Sequence, residues 1–245
     1  ANEGAFSMLV SSTEIQNNFG KYLMLSATED IIITRNGMAI AKLSALTEQP
    51  GLVMEKAERL TGSGWYATYE EFLELTKNSE ERYEYIDGQI YLLASPKTPH
   101  QVTLAELFVI FHSRFEDKKC RPMIAPYDIT LKRYPEDINI VQPDIMVICD
   151  LEEKLDEDGY YKGVPPLVVE VLSESTKRKD LLNKLELYME SGISEYWVVN
   201  PANKEVTIYQ FANKTIGRHC TYKDQEVAQS YIFKELTAEL SKVFK

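Results

Sequence analysis

Several things are scarce in this chain of 245 residues, and each shortage excludes something. No apolar run approaches the roughly 20 residues that a helix needs to cross a bilayer, so no membrane association is expected. No basic stretch followed by an apolar segment opens the sequence, so no signal peptide is expected. The cysteines number three, Cys120, Cys149 and Cys220, odd in count and widely spaced. That pattern argues against a disulfide framework and a CxxC zinc knuckle. It leads to the expectation of reduced, small, semi-buried thiols in a cytoplasmic protein. Eleven glycines and ten prolines are too few for a collagenous or low-complexity chain. Positive charge is short as well: 27 Lys+Arg stand against 38 Asp+Glu, a net charge of -11. An acidic chain does not coat nucleic acid diffusely. It can still hold a local site, because metal ions bridge carboxylates to phosphate.

What is present is a foldable composition, with 44% hydrophobic residues. The length allows one large domain or two small ones. Residues 1–60 read as a small unit. Ser11 is placed to cap a helix that begins near Ser12. Ile31–Thr34 is a β-branched run, Asn36-Gly37 is a hairpin turn, and Met38–Leu43 is the return strand. A second helix is expected from Ser44 or Thr47 toward Arg59. Residues 61–65, which include Gly62 and Gly64, read as a linker.

Residues 66–245 have a different rhythm. Thr68 caps a helix through Leu75. A hairpin follows, Tyr83–Ile86 and Gln89–Leu93 around Asp87-Gly88. Leu104, Leu107, Phe108, Phe111 and Phe115 recur at helical spacing within an expected helix from Pro99 to Glu116. Strands are expected at 128–131, 139–141 and 145–148. Residues 150–163 hold six acidic residues and read as an exposed loop in which Tyr160 and Tyr161 are candidate substrate contacts. A strand at 167–172, a helix at 180–191, strands at 196–199 and 206–211, and a terminal amphipathic turn complete the order. Such an order implies a mixed sheet covered by helices.

Two carboxylates interrupt apolar strands: Asp144 opens Ile145–Ile148, and Glu170 divides Leu167–Leu172. A buried, unpaired carboxylate is costly. Each therefore faces solvent, pairs with a lysine, or ligates a hard cation such as Mg²⁺. Glu84 lies in the hairpin and His100 at the start of the next helix. Asp180 and Lys184 share a helix face at a spacing of four, which suits an ordinary surface ion pair as well as a functional one. Lys177, Arg178 and Lys179 belong to the densest basic run, a solvated loop or a phosphate-contact patch.

These segments together resemble the Uma-type restriction-endonuclease-like family, part of the PD-(D/E)XK nuclease superfamily. The residues that carry the resemblance are Pro143-Asp144, Val168 to Ser173, Asp180, Lys184, Tyr188, Gly192 and Glu195 to Pro201. Tyr83 to Gly88 and Pro99-His100-Gln101 fit its upstream motifs. The resemblance implies a restriction-endonuclease-like mixed α+β fold, a sheet flanked by helices, over residues 66–245. It implies a Mg²⁺- or Mn²⁺-dependent DNA endonuclease with Glu84, Asp144, Glu170 and Lys184 as its catalytic set. Asp144, Glu170 and Glu84 would bind metal. His100, Asp180, Lys177, Arg178 and Lys179 would support the site or contact substrate; Arg133 is a further candidate phosphate contact. The superfamily's usual lysine, two residues after the glutamate, is here Leu172, so Lys184 on the following helix looks like its replacement. On that reading Lys184 should stand about 3 Å from Glu170 or Asp144.

The first unit resembles the Phd/YefM antitoxin fold, through Val10 to Ile15, Asn18 to Leu23 and Ile32 to Ala41. That resemblance implies a small α+β domain at 1–60 that forms a homodimer. Residues 1–60 carry five basic and seven acidic side chains, which favours dimerisation over DNA binding for this unit. The alternative to an endonuclease is a non-catalytic DNA-binding or regulatory protein of toxin–antitoxin type.

Overall fold

The computed structural model describes residues 7–17, 22, 25–26, 30–35, 37–43, 65–173 and 178–245; for residues 7, 16, 17 and 178–180 it describes the backbone alone. The expected helix toward Arg59, linker residues 61–64 and Lys177 lie outside the described residues. The chain divides into two compact units, Ala1–Arg59 and Leu60–Lys245.

In the first unit β1 (Ser7–Ser11) leads into α1 (Ser12–Asn17), and β2 (Asp30–Arg35) turns into β3 (Met38–Leu43). Ser11 Oγ accepts the Glu14 N–H at 3.2 Å, so the serine caps the helix. β2 runs parallel to β1 and antiparallel to β3. Val10, Ile15, Tyr22 and Ile31 form a small core. Leu9, Met38 and Ile40 are left exposed.

The second unit begins with β4 (Trp65–Tyr66), α2 (Tyr69–Lys77), β5 (Tyr83–Ile86), β6 (Gln89–Leu92) and α3 (Thr98–Phe115). Thr68 and Glu71 close a reciprocal capping box at the start of α2. Asp87 and Gly88 both take positive φ (52° and 73°), as a tight two-residue hairpin turn requires. There follow β7 (Arg121–Ile124), β8 (Ile129–Leu131), β9 (Asn139–Val141), β10 (Ile145–Ile148), α4 (Leu151–Lys154), β11 (Leu167–Val171) and α5 (Arg178–Glu190). The chain closes with β12 (Glu195–Asn200), β13 (Glu205–Ala212), β14 (Thr215–Lys223), β15 (Val227–Gln229), β16 (Thr237–Glu239) and α6 (Leu240–Val243).

A six-stranded sheet runs β14-β13-β12-β11-β10-β7, and a five-stranded sheet runs β4-β6-β5-β9-β8. Within the larger sheet β11 and β12 are parallel and the other neighbours antiparallel. Side chains alternate across the sheet at period two. Ile145, Val147, Leu167, Val169 and Val171 therefore bury one face against α3 and α6. Met146, Ile148, Val168, Tyr196 and Val198 bury the other with Leu187 and Tyr188 of α5 and Ile86, Leu131 and Val141 of the smaller sheet. Mixed sheets flanked by helices are the architecture that the sequence implies.

Two expectations change. Residues 150–163 are not simply an exposed loop. The segment contains α4 and folds back through a Leu155–Tyr161 bridge. Tyr161 is 2% exposed and donates to Asp150 Oδ1 at 2.6 Å, so it is a core residue and no substrate contact. Cys120 and Cys149 are not reduced: they form a disulfide. Arg121 of β7 stands opposite Ile148 of β10, so the flanking cysteines fall opposite each other. Only that antiparallel pairing brings them together, and their spacing of 29 in sequence gives no sign of it. The Cys220 thiol is free.

Candidate active site

Strand parity decides which side chains can meet. Asp144 shares the face of Met146 and Ile148, and Glu170 shares that of Val168. Ile145 pairs with Val169, so continuing the antiparallel register by one residue places Asp144 opposite Glu170. Glu84 alternates with Tyr83 and Tyr85, which pack into the hairpin's own core, and so joins Ile86 in facing the larger sheet. Lys184 and Tyr188 are one helical turn apart on α5, which covers the same face.

Lys184 Nζ donates to Glu84 Oε1 at 2.8 Å and to Glu170 Oε1 at 2.9 Å. The Lys184, Glu84 and Glu170 side chains are 15%, 4% and 13% exposed. Tyr188 donates its hydroxyl to Glu170 Oε1 at 2.6 Å. Glu84 Oε1 also accepts the Gln142 N–H at 2.9 Å. Asp144 Oδ2 accepts the Val171 N–H at 2.7 Å, and His100 Nε2 lies 3.3 Å from the same oxygen. Glu84, His100, Asp144, Glu170 and Lys184 line one cleft.

The electrostatics follow from this crowding. Burial raises the Glu170 carboxyl to about 7, against the pull of Lys184 and with help from the neighbouring charges of Asp144 and Glu84. Burial alone would lower Lys184, but the flanking Glu170 and Glu84 outweigh it and hold the ammonium protonated well above its ordinary range. Burial likewise keeps the Tyr188 phenol protonated, as a donor. Glu84 and Glu170 share the Lys184 ammonium, and Asp144 stands beside them without touching it. Fully ionised, the group carries two negative charges in excess, the charge of one divalent cation.

That excess bears on the metal expected at Glu84, Asp144 and Glu170. Among the described residues no three Asp, Glu, His or Cys side chains stand close enough to grip one ion together. Lys184 occupies the space between Glu84 and Glu170. Mg²⁺ does not need a closed cage; it takes one or two carboxylates and keeps several waters. No hydrogen bond from a described residue reaches Asp144 Oδ1 or Glu170 Oε2. The opposed pair Asp144 and Glu170 therefore fits a hydrated cation, whereas Glu84 is tied through Oε1 to Lys184 and Gln142.

The remaining sequence candidates are placed differently. Arg178, Lys179 and Asp180 form the first turn of α5, with side chains outside the described residues, and Lys177 lies outside them altogether. Arg133 is not poised for phosphate. It donates to Asp137 from Nε at 2.7 Å and also bonds Asp87, clamping the β8–β9 connection to the hairpin turn. Trp197 is fully buried and donates Nε1 to Glu195 Oε1 at 2.6 Å. Sequence reasoning gave no site role to Tyr188. Its spacing of four from Lys184 was the available signal.

The chain is similar to several known proteins. A family model, Uma2, described as "Putative restriction endonuclease", matches residues 69–241. The uncharacterized protein slr1290 of Synechocystis sp. is 30% identical over 141 residues, 57% of this chain and 72% of the relative. A crystal structure from Anabaena variabilis, described as "a putative nuclease belonging to DUF820", superimposes with a TM-score of 0.59 at 21% identity. It covers 73% of this chain and 97% of its own, a likeness of fold.

Proposed function

The chain belongs to the Uma2 family, and from that footing we propose that it is a Mg²⁺- or Mn²⁺-dependent endonuclease that hydrolyses phosphodiester bonds of DNA. The observation that carries the reading is the convergence of Glu84, Asp144 and Glu170 on one cleft, with the Lys184 ammonium between Glu84 and Glu170. Asp144 and Glu170 hold the cation. A cation held there would supply Lewis-acid polarisation of the scissile phosphate and a lowered pKa for an attacking water.

The chain's own groups do the rest. Lys184 has three N–H donors, and Glu84 and Glu170 take two of them. The third is left for a phosphoryl oxygen or for the attacking water, where a fixed positive charge stabilises the charge that develops. Glu84 aims Lys184 rather than holding metal directly. Tyr188 fixes the Glu170 carboxylate, and the Val171 N–H fixes that of Asp144. His100 steadies Asp144 from α3. Lys177, Arg178 and Lys179, before and at the start of α5, meet the substrate backbone, and Asp180 supports the site.

Residues 1–60 act as a Phd/YefM-like unit that joins two chains into a homodimer. The exposed apolar side chains Leu9, Met38 and Ile40 support that role, because a unit this small buries little of its own surface. A dimer presents two centres, as cleavage of both strands requires.

The test is nicking of supercoiled plasmid with Mg²⁺ or Mn²⁺ by wild type, Glu170→Ala and Lys184→Ala. Cleavage by wild type alone supports the centre. Equal cleavage by all three points to a contaminating nuclease and removes the assignment.

A further inference from the structure

Among the described residues, four buried side-chain polar atoms make no hydrogen bond: His100 Nδ1, Gln142 Oε1, Ser191 Oγ and Tyr196 Oη. Three of these four belong to residues that line the cleft of Glu84, Asp144 and Glu170. Orphaned buried groups are rare in folded proteins, because each forfeits its hydration without a replacement. Their gathering in one cleft marks positions where hydrogen bonds are completed by something other than the protein.

Tyr196 is the most sharply defined of them. It is the second residue of β12, fully buried, opposite Val168 on the strand that carries Glu170. Its ring is fixed from two sides. Tyr188 packs edge-on with centroids 5.0 Å apart, and Tyr209 stacks at 6.2 Å. The position of the hydroxyl oxygen is therefore fixed. Its electrostatic neighbours include Glu170, Asp144 and Glu84, and burial with those charges keeps the phenol protonated. A protonated phenol beside carboxylates is a donor, and among the described residues it has no direct acceptor. Tyr188, by contrast, reaches Glu170 itself.

We propose that the Tyr196 hydroxyl holds a water molecule against the Asp144 and Glu170 carboxylates and thereby positions the hydration shell of the divalent cation. The inference rests on the metal-dependent reading above. Mg²⁺ and Mn²⁺ at a two-carboxylate site keep several waters, and groups that bond those waters orient the shell. Tyr196 is thus a positioning residue that touches neither ion nor substrate. His100 and Gln142 offer further polar atoms to the same water layer.

The test is calorimetric titration of Mn²⁺ into the full-length, chelator-stripped protein, beside its metal-free melting temperature. Tyr196→Phe keeps the ring and its stacking and deletes the hydroxyl. Its Mn²⁺ affinity is expected to fall about tenfold. Its metal-free melting temperature should hold or rise, because no protein hydrogen bond is lost. Tyr209→Phe, which alters the neighbouring ring outside the cleft, should bind Mn²⁺ as wild type does. Undiminished affinity in Tyr196→Phe overturns the proposal. So does an equal loss in both variants, which would mean a general effect of the ring stack, or a lowered metal-free melting temperature in Tyr196→Phe. Failure of the wild type to bind Mn²⁺ is a separate result: it rejects the metal-dependent reading itself, and this inference with it.

Discussion

Lys184 reaches Glu170 from the helix that follows its strand, with Nζ 2.9 Å from Oε1 across 14 residues of sequence. The position two residues after the glutamate is Leu172, half-buried against the core on the α5 side of the sheet. The ammonium thus enters the site from α5, which can also deliver Tyr188 to the same oxygen. A strand residue two positions on has one fixed distance from the glutamate. A helix residue is placed by packing, and the same packing lets Lys184 bridge Glu170 to Glu84, 100 residues away in sequence.

Replacing Lys184 by Met keeps the length and removes the charge. Glu84 and Glu170 are then buried without their shared partner. Cleavage is expected to fall by about 10² or more. Stability in urea at pH 8 should drop by about 3 kcal/mol. Plasmid nicking and urea unfolding read the two effects separately.

Tyr188→Phe deletes the 2.6 Å hydrogen bond to Glu170 Oε1 and leaves the ring in place. A hydrogen bond to a buried carboxylate contributes about 2 kcal/mol. Chemical denaturation should show that loss. Single-turnover cleavage should slow as Glu170 loses its orientation.

Asp137 supplies a pH dependence away from the site. Its hydrogen bonds from Arg133, which outweigh its burial, hold the carboxyl below its ordinary value of 3.8. A depressed folded pKa means that this stability is present above about 3.8 and is lost as pH falls through the lower folded value. Asp137→Asn should therefore be less stable than wild type at neutral pH, and the difference should shrink on acidification. Thermal melts from pH 7 to pH 2 check it. A difference that stays constant with pH would leave no part for ionisation.

The disulfide between Cys120 and Cys149 spans 29 residues. Closing a loop of that size stabilises a fold by about 3.6 kcal/mol on chain-entropy grounds. Cys149→Ser should lower the urea midpoint accordingly, and a reductant should shift wild type but leave the variant unmoved. Equal midpoints for oxidised wild type and variant would show that the bond contributes nothing.

The full-length chain should sediment as a dimer, and Leu9→Glu, on the exposed strand of the first unit, as a monomer. Leu9 is 72% exposed, so the change removes no core packing. A monomeric wild type would remove the dimerising role from residues 1–60.

The local pattern was legible wherever neighbours in sequence carry the signal. The stripe from Leu104 to Phe115 is a helix, Asp87-Gly88 turns a hairpin, and Thr68 caps with Glu71. β14 escaped notice because an exposed, polar strand has no apolar alternation to display. Tyr161 was misplaced for the opposite reason: six acidic neighbours hid one buried ring. Arg133 drew attention as a cation, yet its partner Asp87 lies 46 residues upstream.

By itself the sequence determined the strand that carries Glu170, the helix face that Lys184 shares with Tyr188, and the parity of Asp144. Those follow from periods of two and 3.6, which are properties of the backbone. Tertiary structure decided the rest. It brought Glu84 to Lys184, set Asp144 opposite Glu170, joined Cys120 to Cys149, and left the Tyr196 hydroxyl without a partner among the described residues. Each depends on which distant strands pair and in what register, and that is fixed by burying both faces of the sheet at once, a condition on the whole chain that no local segment carries.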